Sequence, residues 1–162
     1  MPTTYAHYKF GKEVLSALPR PLQNSIEAHR ELFDIGLHGP DILFYYNALK
    51  KDPVNEQGHT LHEQFADEFF HHAVEVIEKA KDPAAARAYI YGFICHFALD
   101  SECHPYVEKI MQVGRVSHNE IEMELDRMML TEDYHDPLRY LTAKHIHPKM
   151  DHHRSEERRV GK

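Results

Sequence analysis

The chain has no tryptophan and only two cysteines. Cys95 and Cys103 stand eight positions apart in one predicted helix, about 12 Å along its axis, too far apart for a disulfide. Two free thiols suit a reducing compartment. No apolar run approaches the roughly 18 residues a membrane span needs, and the longest, Ile90 to Leu99, is broken by Gly92 and His96. The opening Met1-Pro2-Thr3-Thr4-Tyr5-Ala6-His7 lacks a basic stretch followed by an apolar one, so the expectation is a cytoplasmic protein without a secretory signal. Positive charge is scarce. Nineteen Lys and Arg against 26 Asp and Glu give a formal net charge of −7, which argues against a duplex nucleic acid partner. There is no glycine-rich phosphate loop and no nucleophile elbow, so neither a P-loop nor a covalent serine mechanism is indicated.

What the chain has is histidine, 15 of 162 residues. Imidazole is the commonest protein metal ligand, and ordinary folding does not ask for so many. With 42% apolar and 28% charged residues the composition is globular rather than disordered, and the length fits one domain. The apolar period is helical nearly throughout. Helices are predicted over 5–18 and 21–35, followed by a turn at Gly36-Leu37-His38-Gly39-Pro40-Asp41. A short apolar-aromatic stretch, Ile42 to Leu49, is read as helix. An amphipathic helix is predicted over 58–81, and Asp82-Pro83 opens another that runs through Asp100. Ser117 and Glu120 form a capping box for a helix to about Leu130. The last nine residues, Arg154 to Lys162, carry no apolar period and read as an adapter-derived tail on a domain of residues 1–153 cut near His153. Without them the formal charge becomes −9.

Chemistry concentrates in Cys95-His96-Phe97-Ala98-Leu99-Asp100-Ser101-Glu102-Cys103-His104. His96, Asp100 and His104 recur every four residues and form one stripe on a helix that is otherwise strongly apolar. Polar groups facing a hydrophobic bundle are costly unless paired or metal-bound. His118 and Glu122 repeat the same spacing at the start of the next helix. Imidazole with carboxylate suits zinc, iron or manganese better than calcium.

This ordered set, His96-x3-Asp100, then His104, then His118-x3-Glu122, resembles the bacterial zinc-dependent phospholipase C family. Gly39-Pro40-Asp41, His7 and a histidine near position 62 belong to the same likeness, which covers most of residues 4–130. The resemblance implies an all-α multi-helix bundle, shared with zinc-dependent nucleases, that binds up to three zinc ions and hydrolyses a phosphodiester or phospholipid by metal-activated water. It further implies one ion on Asp41, His62, His96 and Asp100. A second would sit on His7, the N-terminal amine and a bridging Asp100, and a third on His104, His118 and Glu122. Asp41 is the implied catalytic group that orients or deprotonates water. The sequence departs from the secreted enzymes in its Met-Pro start, in the short Asp100–His104 interval and in offering His59 beside His62.

Three other readings compete. Glu68-x2-His71 and Glu132-x2-His135 fit a di-iron pattern, although Asp136-Pro137 breaks the helix after the second pair. A soluble phosphodiester or nucleotide as substrate, or a bundle that binds metal without catalysis, would use the same ligands. His71-His72 and His152-His153 read as solvated faces. Phe44, Phe69, Phe70, Tyr89, Tyr91 and Phe93 read as core with some lining a cleft, and Cys95 reads as a small buried hydrophobe.

Overall fold

A computed structural model describes residues 4–46, 50 and 52–146, apart from the Glu63 side chain. The described residues form α-helices and one 3₁₀ segment, with no strand among them. In chain order these are α1 (Thr4–Ala17), α2 (Arg20–Glu27), α3 (Arg30–Gly36), the 3₁₀ segment (Gly39–Tyr45), α4 (Pro53–Glu63), α5 (Ala66–Lys79), α6 (Pro83–Gly114) and α7 (His118–Glu132). The fold is all-α, as the periodicity indicates. None of the described helices is long and apolar enough to cross a membrane. The tail from Arg154, and His152-His153, lie outside the described residues.

Helix starts follow the local chemistry. The Asp52 side chain accepts from Val54 N, and that of Asp82 from Ala84 N and Ala85 N, each with proline at the first helical position. Ser117 and Glu120 make the reciprocal capping box that their spacing predicts. Helix interiors depart from expectation in four places. The 21–35 helix is two, with Ala28 and His29 between α2 and α3. The 58–81 helix is also two: α4 begins earlier, at Pro53, and Gln64 and Phe65 adopt extended backbone before α5. Neither break carries glycine or proline, so no punctuation announced them. The predicted turn and the 42–49 helix are replaced by the 3₁₀ segment over Gly39–Tyr45, and residues 47–49 lie outside the described set. Finally, α6 does not stop at Asp100 but runs through Pro105 to Gly114. Pro105 withholds one N–H from the helix ladder, and of the residues that follow it in α6 Val107 is the buried one.

The long α6 is the spine. Leu15, Ile26, Phe33, Leu37 and Cys95, from α1, α2, α3, the turn after α3 and α6, form the buried core. Burial of each such aliphatic or aromatic side chain contributes about 1.5–3 kcal/mol. The α3 and α6 backbones touch where Gly36 meets Gly92. A Cβ on Gly36 would lie 2.1 Å from the Tyr89 carbonyl oxygen, and one on Gly92 2.2 Å from that of Phe33. This crossing holds the segment after α3 against the middle of α6, one turn from His96.

Candidate metal centre

Five elements converge on one cleft. α1 brings His7, the 3₁₀ segment Asp41, α4 His62, α6 His96, Asp100 and His104, and α7 His118 and Glu122. These are the eight residues singled out from the sequence, and their ligand atoms fall into three groups. His7, His96 and Asp100 form one, Asp41, His62 and His96 a second, and His104, His118 and Glu122 a third. Within each group the ligand atoms lie within 4.8 Å of one another.

Asp100 stands at the middle. One carboxylate oxygen is 3.2 Å from His7 Nε2, and the other is 3.3 Å from His96 Nε2 and 3.9 Å from His104 Nε2. Asp41 lies 3.0 Å from His62 Nε2 and 3.8 Å from His96 Nε2. His118 Nε2 is 2.7 Å from Glu122. His96 thus sits between the first two groups, whereas the resemblance gave that place to Asp100. His59 stands apart from these groups, its ring 4.8 Å from that of Phe44 on the wall of the cleft. The N-terminal amine lies outside the described residues.

Tautomers sharpen the picture. The Nδ1 atom of His62 lies 2.8 Å from the Gly58 carbonyl oxygen, and that of His96 3.3 Å from the Leu37 carbonyl oxygen. Each Nδ1 therefore donates to a carbonyl, which in a neutral ring leaves Nε2 with a lone pair. Both lone pairs then face carboxylates. Either a proton or a cation must stand between, and the His7 and His96 rings stack at 4.2 Å, a poor arrangement for two imidazolium ions. A second-shell carbonyl on Nδ1 with Nε2 turned inward is the ordinary arrangement of a metal-binding histidine. The mixed imidazole and carboxylate donors fit zinc.

Without a metal, protons take the place of the cation. The Asp41 hydrogen bond raises the His62 pKa to about 8, against the opposing effect of burial. Burial pushes the Asp100 pKa up, yet the hydrogen bonds from His7 and His96 outweigh it and hold the carboxylate well below its ordinary range. Asp100 is therefore anionic at neutral pH.

Residues 6–160 match the family model described as zinc dependent phospholipase C. The chain belongs to that family. No curated protein and no solved structure matches it. Zinc-dependent phospholipid hydrolysis is thus its activity class at family level, and zinc its family metal.

This zinc-dependent phospholipase C relative also contains features the sequence reading missed. Asp126, one turn beyond Glu122 on α7, accepts hydrogen bonds from Tyr5 N at 3.0 Å and Ala6 N at 2.8 Å and so caps α1. Asp133 accepts from Tyr5 Oη at 2.7 Å and Lys9 Nζ at 2.9 Å. The only signal was the continuing four-residue spacing His118, Glu122, Asp126. Asn119, beside His118, lines the cleft. The di-iron pairs do not assemble. His71 bonds back to the Asp67 carbonyl oxygen at 2.8 Å on an exposed face, while His135 lies past the end of α7 and packs against Tyr5 and Tyr140. Cys95 is buried, and desolvation lifts its thiol pKa to about 11.

Proposed function

We propose that the chain hydrolyses the phosphodiester bond of a phospholipid-like substrate, with zinc held by His7, Asp41, His62, His96, Asp100, His104, His118 and Glu122. The observation that carries this reading is the pair of imidazoles, His62 and His96, pinned through Nδ1 and aimed through Nε2 at Asp41 and Asp100. Bound zinc supplies a Lewis acid for a phosphoryl oxygen and lowers the pKa of water to about 7. Three such ions would exceed the combined charge of Asp41, Asp100 and Glu122, so the fully loaded centre would attract an anionic diester. Asp41, only 4% exposed, orients the attacking water and accepts its proton. Water attacks phosphorus as the phosphorus–oxygen bond to the leaving alcohol breaks; the alcohol departs after taking a proton from solvent, and no enzyme-bound phosphoryl group forms. His59 and Asn119 border the same cleft and are placed to hydrogen-bond the polar end of the substrate.

The test is elemental analysis of protein purified without chelator, together with hydrolysis of a chromogenic phosphodiester. More than one zinc per chain and turnover that chelator abolishes are expected. One metal or none per chain overturns the cluster, and full metal without turnover overturns the hydrolase.

A further inference from the structure

A cavity of about 160 Å³ adjoins the ligand cluster and shares His62, His96, Asp100 and His104 with it. Five phenyl rings line it beside these ligands. Phe69 and Phe70 come from α5, Phe93 and Phe97 from α6, and Phe65 from the break between α4 and α5. Phe65 is 85% and Phe97 43% exposed, so this is an open apolar surface rather than closed core. A larger trough of about 500 Å³ contains His59 and Asn119 and shares His62, Asp100 and His104 with the phenyl cavity.

A phosphodiester carries two organic substituents. With its phosphate on the ligand cluster, both the phenyl cavity and the trough of His59 and Asn119 would be within reach of those substituents. We infer that the phenyl cavity binds the uncharged apolar substituent of the substrate, a benzene-sized ring or a similar volume of alkyl chain, and rejects a cationic one. This rests on the function proposed above.

Size and electrostatics both point that way. An apolar cavity of about 150 Å³ lined by Leu, Ile and Phe holds benzene. An aromatic cage for a quaternary ammonium offers ring faces to the cation. Here Phe69 and Phe93 spend faces on each other, with centroids 4.4 Å apart and planes at 21°. Phe70 meets Phe69, Phe93 and Phe97 in edge contacts at 5.4, 6.1 and 5.8 Å. Among the described lining residues Asp100 is the one carboxylate, and it is engaged by His7 and His96. A cation resting against these rings would give up part of its hydration and gain no free counter-charge.

Three hydrolysis-resistant phosphinates separate the possibilities, with dissociation constants measured calorimetrically on the full zinc-loaded chain. These are dimethylphosphinate, benzyl(methyl)phosphinate and methyl(2-trimethylammonioethyl)phosphinate. The benzyl compound is expected to bind roughly tenfold or more tightly than dimethylphosphinate, and the ammonium compound no more tightly. Phe97→Ser, which opens the wall, and Ser101→Trp, which fills the mouth without removing a ring, should each cut the benzyl preference to about threefold or less. Zinc content reports whether each variant has folded. Equal affinity for the methyl and benzyl compounds overturns the inference and leaves the proposed hydrolase standing, as does a preference for the ammonium compound. A benzyl preference that survives Ser101→Trp places the ring elsewhere and overturns it too. If no phosphinate binds, the inference falls together with the function it rests on.

Discussion

At Asp100 one carboxylate faces three imidazole Nε2 atoms, those of His7, His96 and His104. Asp100→Asn keeps the shape and one neutral acceptor but removes the charge. Zinc per chain should fall by more than one ion, and hydrolysis should fall with it. Glu102, rotated about 200° around the helix, should tolerate Gln with zinc and rate nearly unchanged. Retained zinc in Asp100→Asn, measured by elemental analysis, would remove Asp100 from the centre. Gly39 offers a second test at this scale. Its φ is +51°, and a Cβ there would lie 2.2 Å from His96 Cδ2. Gly39→Ala therefore meets backbone strain of about 1–3 kcal/mol and displaces a ligand ring. A lower denaturation midpoint together with lower zinc content is expected. An unchanged protein would mean that His96 moves at no cost.

The elements are tied together by side chains that hold no metal. α7 supplies His118 and Glu122 to the cleft and, one turn on, Asp126 to the N-terminus of α1, the helix that carries His7. Helix ends need such acceptors, because their first N–H groups have no intrahelical partner. Asp126→Ala should cost about 1–2 kcal/mol of stability and weaken zinc retention at His7, with the His104, His118 and Glu122 group less affected. Asp126→Asn, which still offers an acceptor, should recover part of both. Equal loss of all zinc in both variants would show a general packing role instead. The α3–α6 crossing at Gly36 and Gly92 acts on the other side, bringing Leu37 to His96.

For the whole molecule, acid stability is governed in part by a buried imidazole outside the metal groups. His38 is 2% exposed, and its Nε2 lies 2.8 Å from that of His145. Burial, and to a lesser extent His145, His7 and His96, lower the His38 pKa to about 3. In the unfolded chain this group titrates near 6.5. Below about 6.5 the unfolded state therefore takes a proton that the folded state refuses. Stability is full above that pH and declines towards pH 3, by at most about 1.4 kcal/mol per pH unit from this group. Urea midpoints of metal-free protein at pH 7 and pH 5 should differ, and His38→Gln should reduce the difference. The same slope in both proteins would assign the effect to other groups.

Which parts of this architecture were legible in the sequence depends on the range of the interaction. Helix content, the Asp82 and Ser117 starts and the His96, Asp100, His104 stripe depend on neighbours within about one turn, so the chain itself determined them. The Asp52-Pro53 start is equally local but is passed over in the reading that begins this helix at Gly58. The ordered histidines and carboxylates also pointed to the family. The breaks at Ala28-His29 and Gln64-Phe65 carry no local mark, and the extension of α6 runs against the one that Pro105 supplies. The two breaks follow from how α2 to α6 pack, which outweighs propensities of a fraction of a kcal/mol per residue, whereas α6 continues against the roughly 3 kcal/mol that an interior proline costs. The meeting of His7 with Asp100, of Asp41 with His62, and of Asp126 with Tyr5 spans tens of residues to more than a hundred. Only the folded bundle decides these, because contact between distant residues is set by helix crossings rather than by sequence spacing.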